Sequence, residues 1–149
     1  MGPRTLGRRG KARFGERSAS APPRTTLHLQ RPITFLATTD RSRARSFTTD
    51  VIGLQVVSED PFTLVLDNVG VALRVSEVAG FQAVAHTVLG WEVADIAATV
   101  AALTGRGAAF ARYPFLEQDD AGIWSAPGGA KVAWFRDPDG NVLSLTQHP

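Results

Sequence analysis

One pattern occurs twice in this chain and restricts its fold more than any other feature. It is a β-favouring run, an aspartate, a helical segment closed by glycine, and then three more short β-favouring runs, with one extra run after the helix in the longer second copy. In the first copy Ile33–Thr38 opens and Asp40 is placed to cap a helix. Ala44, Phe47, Val51 and Ile52 give that helix its apolar spacing, and Gly53 ends it. The runs 54–58, 62–66 and 71–75 follow, the last two joined by Asp67-Asn68-Val69-Gly70. In the second copy 87–93 opens, Asp95 caps, and Ile96, Val100 and Leu103 mark the helix face before Gly105 or Gly107. Short strands are expected at 108–113, 122–125, 130–135 and 142–146, with a Pro- and acid-containing loop after the first. The capping aspartates stand 55 residues apart and the turns at Asp67 and Asp137 stand 70 apart, which makes an internal duplication the economical reading.

The sharpest local signal is Phe135-Arg136-Asp137-Pro138-Asp139-Gly140-Asn141, followed by Val142-Leu143-Ser144-Leu145. Proline fixes its own φ and Asp-Gly suits positive φ, so this stretch is a tight connection between antiparallel strands. With the two openings Leu36-Ala37-Thr38-Thr39-Asp40 and Trp91-Glu92-Val93-Ala94-Asp95, it resembles the vicinal oxygen chelate superfamily. Glyoxalase I, bleomycin-resistance and extradiol dioxygenase proteins belong to that group. The resemblance covers about residues 32–147 and implies an α+β fold. In it, two tandem βαβββ units (about 32–76 and 87–147) curl into an open barrel around a concave site, within a domain of residues 32–149.

The resemblance also allows a residue-by-residue test of the usual chemistry. Metal-dependent members carry a histidine seven residues before each capping aspartate and a glutamate four residues after each turn glycine. Here those positions hold Ile33 and Val88, and Arg74 and Ser144. Two are aliphatic, a guanidinium repels a cation, and a serine hydroxyl is a poor ligand for a divalent ion. His86 could enter by a register slip, but one imidazole makes no site. No cofactor is therefore expected, a divalent metal entering only with relocated ligands.

Strand alternation then gives the lining of the concavity: Ile33, Phe35 and Ala37; Ala72, Arg74 and Ser76; Val88, Gly90 and Glu92; Val142, Ser144 and Thr146. This is an apolar surface with few polar groups, the character of a small-molecule pocket. The candidate ligand-binding residues are Phe35, Arg74, Glu92, Ser144, Trp91 and Trp124. Arg74 could clamp an anion and Glu92 could act as a catalytic base if buried. Alternatively the two neutralise each other as a buried pair. Trp91, Trp124 and Trp134 serve either as contacts to a planar ligand or as core or dimer contacts. Glu117-Gln118-Asp119-Asp120 reads as a solvated acidic loop, with a lid or metal clip as the sharper alternative. His28 and His148 receive no role.

Two functions compete on this basis. One is metal-independent binding of an apolar or anionic small molecule; the other is a lyase, isomerase or dioxygenase-type enzyme. Glyoxalase activity is not expected, because it relies on the missing metal. The resemblance further implies a homodimer. The absence of cysteine fits a reducing cytoplasm, the expected location, and no apolar run is long enough for a membrane span. Charge is divided unevenly: residues 1–31 carry +7 and residues 32–149 carry −5, of the net +2. The basic, Gly-, Ser- and Pro-rich residues 1–31 are expected to be a disordered tail: an unstructured extension, a basic arm or a targeting peptide. With Phe14 as the tail's only aromatic residue, nucleic acid is not an expected partner.

Overall fold

The computed structural model describes Arg24 and residues 26–149, so most of the expected tail lies outside the described residues. The chain divides after Gln30, and the folded unit is Arg31–Pro149. Its first half runs β1 (Ile33–Thr38), α1 (Arg41–Ser46) with a π-helical extension Phe47–Ile52, β2 (Gln55–Glu59), β3 (Thr63–Asn68) and β4 (Val71–Glu77). The second half repeats the order with β5 (Thr87–Glu92), α2 (Ile96–Gly105), β6 (Trp124–Ser125), β7 (Lys131–Arg136) and β8 (Val142–Gln147). The class is α+β, built from two βαβββ units. Each unit forms an open four-stranded sheet, in the orders β1-β4-β3-β2 and β5-β8-β7-β6. The opening strand lies parallel to the last one, and the remaining pairs are antiparallel. The expected open barrel takes the form of two open sheets, with no closed barrel.

Both helices start as their sequences require. Asp40 accepts from the Arg43 N–H at 3.1 Å and Asp95 from the Ala98 N–H at 3.0 Å, each satisfying a first-turn donor. The first helix then loosens. Thr48 and Thr49 donate their hydroxyls to the carbonyls of Ala44 and Arg45 at 2.9 and 2.8 Å, competing for acceptors in the helical ladder. The ladder slips to π-type bonding, closed by the Gly53 N–H to Thr48 O at 3.1 Å with Gly53 at φ 89°. The strand expected at 108–113 is absent. The backbone makes one bridge, Phe110 to Phe135, and one bond from Ala111 N–H to Trp134 O at 2.7 Å. It then turns off through Pro114 into the long loop.

A single apolar core serves both units. Leu64, Leu66, Leu73 and Val75 from the first sheet meet Ala133, Phe135, Leu143 and Leu145 from the second, with Ile96, Val100 and Leu103 from α2. Phe135 is 1% exposed and takes the rings of Phe110, Trp91 and Phe47 at 5.3, 6.4 and 6.5 Å. Burying such a side chain contributes about 1.5–3 kcal/mol.

Each unit's closing hairpin also reaches across to the other unit. Asn68, beside the Val69-Gly70 turn, accepts from Trp91 Nε1 at 2.6 Å. In the other direction Asp139, its side chain 2% exposed, accepts from the hydroxyls of Thr38 and Thr39, the Thr39 N–H and the Arg43 guanidinium. Asn141 adds a bond from Nδ2 to Ala37 O at 2.9 Å. Asp137 shapes the turn by accepting from the N–H groups of Asp139 and Asn141 and from Asn141 Nδ2.

The two carboxyls respond oppositely to this setting. Burial works against ionising Asp139, but the Thr38 and Thr39 donors and the Arg43 charge outweigh it and hold its carboxyl below the usual range. Burial dominates at Asp137, helped by the Asp139 charge, and pushes its carboxyl up despite the bonds from Asn141. A carboxyl lowered by folding stabilises above its unfolded pKa, and that stabilisation is lost as pH falls through the folded value. Asp139→Asn is expected to cost about 2 kcal/mol near neutral pH, with the deficit shrinking at about pH 3. Urea melts of both proteins at the two pH values check this; a deficit that does not change with pH refutes it.

Candidate functional site

The core uses one face of each sheet, and the other faces are where a site can be built. On the first sheet Ile33, Phe35 and Ala37 stand in register with Ala72, Arg74 and Ser76. These residues share a face, as strand alternation requires. That face is open: Phe35 is 62% exposed and Ile33 46%. Arg74 is exposed beside Phe35 and belongs to none of the ion pairs among the described residues.

The linker between the units covers one end of this face. The Val78 N–H bonds to Thr38 O, continuing the β1–β4 neighbourhood, and Gly80 at φ 72° turns the chain so that the Phe81 N–H reaches Val78 O. Phe81 and Val84 come to lie against Phe35, Ala37, Val78 and Val88. Together they bound a recess of about 360 Å³ whose walls are almost wholly apolar. Ala37 and Asn141, the residues joined in the cross-unit clasp, also line it. Phe81 and Val84 were not among the expected site residues. They sit in a linker without period, and two isolated apolar residues there carry no directional signal.

On the second sheet Gly90 stands opposite Ser144 and Glu92 opposite Thr146. Val88 falls at an irregularity between Thr87 and Leu89, so it leaves the register that alternation assigns it. Ser144 is 9% exposed, and a Cβ on Gly90 would lie 2.5 Å from its Oγ and 3.3 Å from its carbonyl oxygen. Glycine is what lets these strands carry Ser144 on that face. Trp134 pairs with Ser144 across β7–β8, and Trp124 pairs with Val132. Tyr113 meets Trp134 edge-on at 5.5 Å, Trp124 lies 6.2 Å from Trp134, and Phe115 lies 5.6 Å from Tyr113. A run of four rings therefore accompanies this sheet, two of them supplied by the long loop.

The expected residues are thus divided. Phe35 and Arg74 stand together on the first sheet; Ser144, Glu92 and Trp124 belong to the second. Trp91 is placed elsewhere, in register with Leu145, stacked on Phe135 and bonded to Asn68. The alternative reading of the tryptophans as core residues describes it. No Arg74–Glu92 pair forms. Glu92 is 72% exposed, with His148 Nε2 at 4.0 Å, so the burial that a carboxylate base would need is absent. In the acidic loop Glu117, Asp119 and Asp120 are exposed, while Gln118 binds the Tyr113 N–H and the carbonyls of Ala111 and Gly122 at 2.7, 3.0 and 2.8 Å.

The donors at Ile33, Arg74, Val88 and Ser144 do not fit a divalent metal. Among the described residues no three His, Asp or Glu side chains gather to hold one elsewhere. No helix of the described residues is long and apolar enough to cross a membrane.

Two βαβββ units with parallel outer pairs and an Asp-Pro-Asp-Gly close can now be set against solved structures. TioX from Micromonospora sp. ML1 superposes with a TM-score of 0.61 at 21% identity, over 80% of this chain and 99% of that one. The genomically encoded fosfomycin resistance protein FosX from Listeria monocytogenes gives 0.63 at 9%, over 83% and 96%. A glyoxalase/bleomycin resistance protein/dioxygenase from Nocardioides gives 0.59 at 18%, over 87% of both chains. The chain has the vicinal oxygen chelate fold. No protein-family model matches it, and no curated protein sequence does. At these identities the likeness is one of fold.

A vicinal oxygen chelate scaffold with Gly90 against Ser144 makes a direct prediction. Gly90→Ala is expected to destabilise by about 1–3 kcal/mol through the forced contact, and adding Ser144→Ala should recover part of that loss. Thermal melts of the single and double variants test the coupling; strictly additive effects would exclude it.

Proposed function

We propose that this protein binds a small apolar molecule, one able to carry an anionic group, on the outer face of its first sheet without a bound metal. The observation that carries this reading is the apolar recess beside Phe35, with the exposed Arg74 guanidinium, in no ion pair among the described residues, on the same sheet face. A partly formed cavity of this size with few polar groups suits an organic ligand. Exposed rings and aliphatic side chains held beside it are the kind of surface that marks a binding site. Arg74 would take a carboxylate or similar anion by charge-assisted hydrogen bonds. The similarity to a fosfomycin resistance protein and a bleomycin resistance-type protein is compatible with a small-molecule ligand.

Isothermal titration against hydrophobic drugs and aromatic acids tests it. A ligand found this way should bind about tenfold more weakly to Phe35→Ala, the equivalent of roughly 1.4 kcal/mol. Arg74→Ala should weaken acids selectively. A panel without binding, or affinities indifferent to both changes, would sink the reading.

The same exposed face supports a homodimer. Ile33, Phe35, Val78, Val84 and Val88 expose apolar surface together, and two-fold pairing would cover part of it. Sedimentation equilibrium should return twice the mass of the chain, and a monomer at micromolar concentration would rule the pairing out.

A further inference from the structure

The loop between α2 and β6 holds a second arrangement, with chemistry unlike that of the Phe35 recess. Phe115 is 80% exposed, and with half-buried Trp124 it walls an open recess of about 660 Å³. Glu117 and Asp119 line the same recess. Asp119 uses Oδ1 to accept from the N–H groups of Ala121 and Ile123, so its carboxylate is held in place with the other oxygen left over. Glu117 is exposed and belongs to none of the ion pairs among the described residues. Arg112, the cation on the loop's first leg, is turned to the Asp120 carbonyl at 2.6 Å. Lys131 shares a neighbouring recess with Asp119, but neither Glu117 nor Asp119 belongs to an ion pair among the described residues.

The loop is also pre-shaped. Gln118 bridges its two legs with three hydrogen bonds, and Gln118 and Trp124 form a β-bridge. Holding a phenylalanine ring in water costs free energy unless something covers it. Aromatic walls with a negative rim attract a diffuse positive charge, since ring quadrupoles and carboxylates act in the same direction. A divalent metal would need several converging donors, and no such group exists among the described residues.

We propose that this recess is a binding site for an organic cation, a quaternary or protonated amine seated against Phe115 and Trp124 and balanced by Glu117 and Asp119. It stands apart from the Phe35 recess, on the other βαβββ unit, and does not depend on that reading.

The test uses choline and its uncharged isostere 3,3-dimethylbutanol, each titrated into the full chain while the Trp124 indole N–H resonance is followed. Choline should shift it saturably, and the isostere should bind about three- to thirtyfold more weakly. Phe115→Ala and Glu117→Gln, both at exposed positions, should each weaken choline about threefold or more. Phe35→Ala should leave it unchanged, which separates this site from the one proposed above. Equal binding of the two probes, a drift that does not saturate, or indifference to both loop variants would overturn the proposal.

Discussion

The rest of this structure depends on a buried carboxylate. Among the described residues no β-ladder joins the two sheets, so beyond the linker the units are held by side chains that pack on one another or bond to side chains and backbone groups of the other unit. Asp139 is the most connected of these, gathering donors from the end of β1, the residue after it and the first turn of α1. A buried carboxylate is costly unless its lone pairs are met, and here hydroxyls, an amide and a guanidinium meet them. That requirement makes the clasp directional. Only one placement of the closing turn against β1 satisfies all the donors, whereas an apolar interface alone would tolerate sliding. The Asn68–Trp91 bond supplies the reciprocal restraint from the first unit's hairpin.

Because the clasp and the common core bring the two inner faces together, the outer faces are left to do something else. The first sheet presents Phe35 and Arg74 to solvent. The same clasp reaches the edge of the recess beside them, since Asn141 bonds Ala37 and both residues line it. Binding at that recess would therefore act on the junction of the units. A ligand that packs against Ala37 bears on the strand whose end Asp139 holds.

Much of this was legible in the sequence where a residue type has one physical use. Asp40 and Asp95 announce helix starts because a short carboxylate accepts from first-turn amides. Gly53 announces a stop because it alone accepts positive φ there without strain. Alternation placed Phe35 with Arg74 and Gly90 with Ser144, since period two leaves no freedom once a strand is paired. What escaped was whatever depends on a distant partner. Trp91 alternates like a core residue, yet its indole was available for either role until Asn68 claimed it. Gln118 lies in an acidic run and looks solvated; only the folded loop shows its amide bridging two legs. The strand expected at 108–113 failed because one bridge to Phe135 sufficed before Pro114 turned the chain away.

The duplication explains why the two outer faces differ. Phe35 and Gly90 are equivalent, both five residues before a capping aspartate, and Arg74 and Ser144 are equivalent after the turn glycines. The first unit kept a ring and a cation on its strands, so its face is apolar with one positive charge. The second has glycine and serine at those places, and the close approach of Gly90 to Ser144 leaves no side-chain bulk there. Its rings come instead from β6, β7 and a long loop, and that loop brings carboxylates with them. The two faces thus differ in charge and in the source of their aromatic surface. A scaffold built by repetition need not present the same chemistry twice, because the repeat fixes the backbone and only a handful of outward residues set the character of each face.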